Sequence, residues 1–249
     1  MKAFLIFASF ILTSCGATDQ TFGVKIINGD RAFGNFPAVK KIRIHLKDGK
    51  KGICTGFFIS DSVMLTAAHC LTDAKKVSLD KTLWPDTKAI SWQINDAYDP
   101  QKGTLASFQQ DIAIVNFPDR TSNHWLTISK VPPKAGSKFT MVGFGTNDPM
   151  ASLGYSSNGG DAKRSGQTKI SCVNQNLYLS ETVFIGEKGP AVSAPGDSGG
   201  PAIANGEVFG VIVGNHSNLA SGTFHSFIIS LYSTAASDFL RKQNLTVPL

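Results

Sequence analysis

Gly196-Asp197-Ser198-Gly199-Gly200-Pro201 is the stretch of this sequence that indicates both its chemistry and its fold. The glycines let the backbone approach a substrate closely and leave the Ser198 hydroxyl uncrowded. Neighbouring backbone N–H groups in such a loop can converge on a developing negative charge. A serine hydroxyl alone is a weak nucleophile, so this role for Ser198 requires a base and an orienting acid elsewhere in the chain.

The composition of the chain favours an all-β protein. Its 249 residues suffice for one large all-β domain or two smaller ones. Only 17% of residues are charged, and the 24 glycines and 11 prolines favour short strands and tight turns. Many β-rich runs are separated by turn signals such as Asn205-Gly206, and residues 231–243 form one amphipathic helical pattern. The pattern predicts packed barrels or a sandwich with a terminal helix.

The positive charge of the chain does not indicate nucleic-acid binding. The formal net charge is +6, but the lysines and arginines are scattered along the sequence. There is no basic run with interleaved aromatic residues, so we expect no nucleic-acid partner.

The N-terminus has the features of an export signal. Lys2 precedes an apolar run at 3–12, which is too short to span a bilayer and fits a signal peptide. The run ends in Leu12-Thr13-Ser14-Cys15, which resembles a bacterial lipobox. We therefore expect residues 1–14 to be removed and Cys15 to be lipidated, with the outer membrane favoured because Gly16 follows. The alternative is an ordinary signal peptide cut nearby, for example at Ala17.

Two residues are candidates for the base and the acid. His69 lies in Leu65-Thr66-Ala67-Ala68-His69-Cys70, and Asp111 opens the apolar run Asp111-Ile112-Ala113-Ile114-Val115. Taken alone, a histidine beside a cysteine is more often structural, and an acid before an apolar strand is usually a solvated strand start. A buried Asp111 could instead accept the Nδ1–H of a histidine and fix its tautomer.

Together, the segments around His69, Asp111 and Ser198 resemble the active-site motifs of the chymotrypsin/trypsin-like serine protease family. They occur in that family's order, separated by 42 and 87 residues. The resemblance implies two six-stranded antiparallel Greek-key β-barrels and a C-terminal α-helix. The protease domain would then span 26–249, with barrels at roughly 26–130 and 131–230 and the helix at 231–243.

The resemblance also implies a mechanism. Ser198 would attack the scissile carbonyl, His69 would move the proton, and Asp111 would orient His69. The N–H groups of Gly196 and Ser198 would form the oxyanion hole. The substrates would be proteins or peptides, and the mechanism requires no metal or cofactor.

The sequence is also compatible with two alternative functions. The serine segment also fits the G-x-S-x-G pattern of α/β-hydrolase esterases, which need an acid and then a histidine after the serine. Here Asp238 follows both His216 and His225, so the chain order disfavours an esterase. The other alternative is a non-catalytic, lipid-anchored binding protein on a protease fold. The presence of all three candidate catalytic residues favours the enzyme.

The segment Ile26-Ile27-Asn28-Gly29 resembles the start of the mature family enzyme. Residues 15–25 would then be an activation leader, cut at Lys25-Ile26 by a trypsin-like activating protease. The new Ile26 amine would pair with Asp197 and set the oxyanion hole. Such a cut would also release the protease from lipidated Cys15. The alternative is that Ile26 and Ile27 merely start a β-strand.

The resemblance places the substrate pocket just before the nucleophile. Val192 stands six residues before Ser198, where trypsin-like members carry an aspartate. Val192 and Ser193 therefore predict a preference for an uncharged side chain. Gly214, Asn215 and Gly222 are expected to line the pocket walls, and Asn215, where glycine is common, is expected to narrow the pocket.

The cysteines indicate one disulfide. Exported chains can hold disulfides, and three cysteines remain when Cys15 is set aside. Of the bridges in the family that the chain resembles, only Cys54–Cys70 has both cysteines. Cys172 has no matching partner, and we expect it to be a buried free thiol; the alternative is a bridge between two chains.

Overall fold

The computed structural model describes residues 26–80, 87–102, 104–145, 162–174, 176–184, 189–218 and 221–245. The signal peptide at 1–14, the leader with Lys25, and the lipidation site at Cys15 lie outside these residues. Within the described ranges, no helix combines the length and the apolar character needed to cross a membrane.

The described part of the chain folds into β-strands with two short α-helices. The helices are α1 (Thr104–Phe108) and α2 (Thr234–Lys242), and a 3₁₀ turn covers Ala68–Cys70. The strands are β1 (Asp30–Arg31), β2 (Val39–Leu46), β3 (Lys51–Phe58), β4 (Val63–Thr66), β5 (Ala74–Leu79), β6 (Ser91–Ile94), β7 (Ala113–Asn116), β8 (Lys138–Gly143), β9 (Arg164–Asn174), β10 (Leu177–Ser180), β11 (Val183–Phe184), β12 (Pro201–Ala204), β13 (Glu207–Asn218) and β14 (Thr223–Ser230).

The second half of the chain forms a closed barrel. Its six strands pair antiparallel in the order β8-β9-β10-β14-β13-β12, and β12 pairs back to β8. The short strands β1 and β11 extend this sheet at β9 and β14. Inside the barrel, Phe209 packs edge-on against both Phe139 and Tyr178, with ring centroids 5.4 and 5.1 Å apart. This arrangement is the favourable geometry for buried aromatic pairs.

The first half of the chain forms a curled half-barrel. Its strands follow the order β5-β2-β3-β4-β7-β6, again antiparallel. Strand β2 places Ile42 and Ile44 in the interior, while the alternate residues Arg43 and His45 are only partly buried. This alternation is what period-2 side-chain geometry requires of a strand with one face on the core. The all-β class with a small C-terminal helix is confirmed.

The C-terminal helix is shorter than the sequence pattern predicted. The pattern extends over 231–243, whereas α2 begins at Thr234. Ser233 is the reason, because its hydroxyl accepts a hydrogen bond from the Ala236 N–H and caps the helix. Leu231 lies before the cap and is fully buried, so its place in the apolar pattern reflects the core and not the helix.

The two sheets share one continuous hydrophobic core, and the candidate site residues lie at strand ends beside it. His69 follows β4, Asp111 precedes β7, and Ser198 precedes β12. Strands β4 and β7 are antiparallel neighbours, with Thr66 opposite Ala113. The end of one strand therefore lies beside the start of the other, and this register brings His69 next to Asp111.

Candidate active site

His69 and Asp111 form a two-point contact. The Asp111 carboxylate is fully buried; Oδ1 accepts the His69 backbone N–H at 2.8 Å, and Oδ2 lies 2.6 Å from His69 Nδ1. One contact fixes the backbone and the other fixes the ring. Because a carboxylate can only accept, Nδ1 must carry the proton, and the neutral ring presents Nε2 as a base.

The environment of His69 favours its protonated form. Burial by itself lowers the pKa of the imidazole, but the charge of Asp111 and the hydrogen bond to it outweigh that effect and raise the pKa above its ordinary value. The ring is still 34% exposed, so Nε2 has access to the cleft. A base of this kind accepts a proton readily during a reaction.

The disulfide Cys54–Cys70 lies against the site, with its Cα atoms 6.3 Å apart. Cys70 Sγ is 3.8 Å from His69 Nε2 and 3.8 Å from the Ser198 carbonyl oxygen. The bridge thus joins the His69 segment to strand β3, and it lies against the backbone of Ser198. Closing a loop of this length stabilises a fold by about 3 kcal/mol. Within the described residues, the atoms of Cys54, His69 and Cys70 lie close enough to hold a metal, but sulfurs joined in a disulfide cannot ligate one as thiolates.

The loop that carries Ser198 is fastened to strand β3 through Thr55. The Thr55 N–H donates to the Ser198 carbonyl oxygen at 2.9 Å, and its hydroxyl donates to the Gly196 carbonyl oxygen at 2.7 Å. The same hydroxyl accepts the Phe144 N–H at 2.9 Å. Gly196 has φ +95°, a backbone conformation that other residues adopt only with strain. Nothing in the local sequence distinguishes Thr55 from any other threonine in a strand, so its role could not be predicted.

Asp197 is enclosed by backbone N–H groups. Its fully buried carboxylate accepts the Gly145 N–H at 2.7 Å and the Ala194 N–H at 2.9 Å, and it is also hydrogen-bonded by the backbone of Ile26. Burial raises the pKa of Asp197 to about 7, although these hydrogen bonds act in the opposite direction. A Cβ at Gly143 or Gly145 would collide with the carboxylate, so the motif Gly143-Phe144-Gly145 supplies the space for it.

The family model described as Trypsin matches residues 26–236. This chain belongs to the trypsin family. It is 25% identical over 206 residues to kallikrein-8 of Rattus norvegicus, covering 76% of this chain and 75% of that protein. It is 24% identical over 219 residues to granzyme M of Rattus norvegicus, covering 81% and 83%. The solved structure of neuropsin, a serine protease expressed in the limbic system of mouse brain, has a similar fold, with a TM-score of 0.67, 17% identity, and coverage of 88% of this chain and 100% of that one.

In this trypsin-family chain, the segment expected to form the pocket floor is apolar and buried. Val192 is fully buried and clusters with Val183, Phe224 and Ile27. Its backbone exchanges two hydrogen bonds with Ile27, at 2.7 and 3.2 Å. The start of the described chain is therefore bound directly to the segment that precedes the nucleophile.

Ser193 and Asn215 are joined across the expected pocket. Asn215 Nδ2 donates to the Ser193 carbonyl oxygen at 2.7 Å, and Asn215 is only 5% exposed. The Ser193 hydroxyl donates to the Gly214 carbonyl oxygen at 3.0 Å, and its N–H donates to the Ser226 hydroxyl at 2.8 Å. The polar groups of Ser193 are thus satisfied within the protein. Gly222 lies in the turn before β14, where a Cβ would contact nothing within 4 Å.

Two aromatic side chains, Phe108 and His225, pack beside this region. The Phe108 ring from α1 fills the space next to Gly214, where a Cβ would collide with it, and it packs against Phe227 with ring centroids 5.3 Å apart. His225 packs on the other side of Phe227 and stacks with His216, with centroids 5.1 Å apart in both pairs. Burial, with a smaller contribution from His216, lowers the pKa of His225 to about 4.

The expectation for Cys172 is wrong. Cys172 is disulfide-bonded and not a free thiol, and it is only partly buried. It lies in β9, opposite Leu179 of β10. The expectation of a free thiol rested on the bridges of the family that the chain resembles. A cysteine without a partner in that family's pattern can still form a further bridge.

Proposed function

We propose that this protein is an exported serine endopeptidase that cleaves peptide bonds through an acyl-enzyme. The observation that carries the proposal is the contact of 2.6 Å between His69 Nδ1 and a fully buried Asp111, beside the backbone of Ser198. Membership in the trypsin family supports it. Nucleophilic catalysis by serine requires a histidine whose tautomer and orientation are fixed by a carboxylate, and this contact supplies both.

The proposed steps follow from these positions. His69 Nε2 takes the proton of the Ser198 hydroxyl as its oxygen bonds to the scissile carbonyl carbon. The carbonyl oxygen becomes an oxyanion and accepts hydrogen bonds from the N–H groups of Gly196 and Ser198. His69 then gives the proton to the leaving amine, and the C–N bond breaks. Water then attacks the acyl carbon as His69 takes its proton, and His69 gives that proton to the Ser198 oxygen as the bond to the acid product breaks.

An active-site probe tests this proposal directly. We expect a fluorophosphonate to label the chain that begins at Ile26, and we expect Ser198→Ala to abolish labelling. The matched control is Ser171→Ala, which removes an exposed hydroxyl outside the candidate site and leaves Ser198 intact. Absence of labelling in a folded wild-type protein would establish the alternative, a non-catalytic binding protein.

We also propose that the protein is made as a zymogen and activated by cleavage at Lys25-Ile26. The support is the buried position of Ile26, which is 1% exposed, and its backbone hydrogen bond to Asp197. Cleavage would replace the neutral amide of Ile26 with an ammonium, which pairs with a buried carboxylate far more strongly. Because the Asp197 segment also carries Gly196 and Ser198, this pair would hold the oxyanion hole in place.

The zymogen proposal is tested by blocking the cut. We expect Lys25→Gln to resist the activating protease and to remain weakly active, whereas Lys163→Gln, a change of a lysine outside the leader, is processed normally. Full activity of uncut Lys25→Gln protein would overturn the proposal.

We propose further that activation separates the protease from a lipid anchor at Cys15. Outside the Cys54–Cys70 bridge, the sequence has only Cys15 and Cys172, and Cys172 is engaged in a disulfide. One Cys15 sulfur cannot carry both a lipid and that disulfide, so the experiment is mass spectrometry of membrane and soluble fractions, with and without reductant. We expect a soluble form starting at Ile26. An active form that carries lipidated Cys15, or a leader held to Cys172 by a disulfide after the cut, would contradict release.

Finally, we propose that the enzyme prefers a small, uncharged side chain before the scissile bond. The support is the fully buried Val192 and the Asn215 side chain, which reaches the Ser193 carbonyl oxygen. An acidic pocket floor, which would attract Lys or Arg, is replaced here by an apolar one. Strong cleavage after Arg or Lys in a peptide library would contradict this preference.

A further inference from the structure

A cavity of about 280 Å³ lies on the outer face of the half-barrel, away from the residues discussed above. Its lining comes from β2, β3 and β5 and includes Arg43, His45, Lys51, Lys76 and Ser78; we call it the basic pocket. None of its lining residues is acidic. The pocket therefore gathers side chains of one charge sign around a concave surface.

The strand register concentrates this charge. His45 is directly opposite Lys51 on one side and Lys76 on the other. Lys51 and Lys76 therefore flank His45 in one row across three neighbouring strands. In the described part of the chain, no ion pair uses Lys51 or Lys76, although the nearby Lys47 does pair, with Asp73.

Arg43 is held in position by the buried carboxylate of Asp80. Its Nε donates to Asp80 Oδ1 at 2.9 Å, and Asp80 is fully buried. The buried Lys41 lies 2.9 Å from the other oxygen of the same carboxylate. The terminal guanidinium nitrogens of Arg43 take part in no hydrogen bond within the described residues, and the side chain is 40% exposed. A fixed guanidinium with free donors is suited to bind a carboxylate.

Strand β3 connects the basic pocket to the active site. Gly52 lines the pocket, and Thr55, three residues further along β3, donates its N–H to the Ser198 carbonyl oxygen at 2.9 Å. Three residues of an extended strand span about 10 Å. Along β3, the basic pocket is therefore about 10 Å from the residue that binds the Ser198 backbone, a distance that three extended residues of a polypeptide also span.

We propose that the basic pocket binds acidic side chains of a polypeptide substrate, a few residues from the scissile bond. This proposal rests on the proposed protease function. The commitment to a polypeptide follows from the short distance to Ser198, and the acidic character follows from the charge of the lining. The net charge of +6 also favours the approach of acidic substrates. The interaction weakens with salt because the pocket is open to solvent.

A binding experiment tests the pocket without requiring cleavage. The probe is a fluorescent peptide with three glutamates. Its control is the same peptide with three glutamines. The protein is the full chain with Ser198→Ala, which cannot cleave the peptide. We expect tighter binding of the glutamate peptide, weakened roughly 3- to 10-fold in Lys51→Gln/Lys76→Gln. The matched control, Lys75→Gln/Lys130→Gln, also removes two positive charges, but Lys75 points to the opposite face of β5 from Lys76.

The outcomes separate this proposal from the catalytic one. Equal binding of both peptides, or equal weakening in both double variants, would overturn the basic pocket. Binding of vesicles of anionic lipid, but not of the glutamate peptide, would do the same. In the processed enzyme, we expect kcat/KM for a substrate with glutamates beside the cleavage site to fall in Lys51→Gln/Lys76→Gln, with unchanged fluorophosphonate labelling. If labelling fails but peptide binding follows the pattern above, the protease function fails and the acidic-peptide site stands.

Discussion

The Thr55 hydroxyl donates a hydrogen bond of 2.7 Å to the carbonyl oxygen of Gly196, 141 residues away in the chain. The same hydroxyl accepts the Phe144 N–H, so one buried side chain joins the loop of the nucleophile to the segment that encloses Asp197. Since Gly196 is a proposed oxyanion donor, Thr55 holds part of the catalytic machinery without contacting the substrate.

Thr55→Val should lower kcat with little change in KM. The substitution keeps the shape of the side chain but leaves the Gly196 carbonyl and the Phe144 N–H without their partner. We expect a loss of about tenfold, less than the 10²–10³ typical for complete removal of an oxyanion donor. Thr55→Ser keeps the hydroxyl and should restore most of the rate. A lower melting temperature with unchanged kcat in the valine variant would show a merely structural role.

Asp111→Asn should reduce kcat by about 10⁴, the effect of this change in the serine protease template. An amide can donate to His69 Nδ1 and so favours the tautomer that is useless as a base. The change also removes the charge that raises the pKa of His69. Catalysis needs the neutral ring, so kcat/KM of the wild type should rise with pH through this raised pKa, and the rise should move to lower pH in the variant. Asp73→Asn, on an exposed turn, is the control and should leave the profile unchanged.

Cleavage at Lys25-Ile26 should remove the loss of stability that Asp197 causes as pH rises. In the uncut chain the pKa of Asp197 is raised from 3.8 to about 7. The folded state therefore binds the proton more tightly than the unfolded state, and stability falls as pH rises from about 4 to 7. In the cut form, the Ile26 ammonium should lower this pKa and remove that loss. Urea unfolding at pH 5 and pH 7 gives the free energy of unfolding of the cut and uncut forms, and each form is compared with its Asp197→Asn variant. The same pH dependence in the cut and uncut forms would contradict the pairing of Ile26 with Asp197.

His225 should make the protein less stable in mild acid. Its folded pKa is lowered to about 4, mainly by burial, so its contribution to stability is present above the ordinary pKa of 6.5 and is lost as pH falls from 6.5 towards 4. His225→Phe keeps an aromatic ring against Phe227 and removes the titration. We expect its melting temperature to fall less than that of the wild type between pH 7 and pH 5. The exposed His124, changed to Phe, should leave the wild-type dependence intact, and an identical dependence in both variants would count against this role.

Asn215→Gly should broaden the preference for the residue before the scissile bond. Removing the side chain breaks its contact of 2.7 Å with the Ser193 carbonyl oxygen and opens the space that it crosses. We expect the ratio of kcat/KM for phenylalanine over alanine at that position to rise by about tenfold or more. Asn123→Gly, at an exposed position, provides the control. An unchanged ratio would show that Asn215 does not set the size of the pocket.

The sequence by itself determined the all-β class, the candidate nucleophile, base and acid, and the pairing of Cys54 with Cys70. The class follows from the composition and from the spacing of β-rich runs and turns, and the site residues and the disulfide follow from motifs that resemble those of a known family. The conformational freedom of the glycines around Ser198 and the alternation of apolar residues in the strands are local properties that do not depend on the rest of the fold. The start of α2 shows the limit of local patterns, because Leu231 fits the helical period but lies before the helix and packs in the core.

Only the tertiary structure decided which distant residues meet. Thr55 and Gly196 are 141 positions apart, and the row of Lys51, His45 and Lys76 exists only because β3 and β5 pair with β2 in one register. A shift of one residue would turn those side chains to the opposite face. Phe108 beside Gly214 and Asn215 against Ser193 depend in the same way on packing between distant segments. Long-range register and packing are collective properties of the whole fold, and no local stretch of sequence contains them.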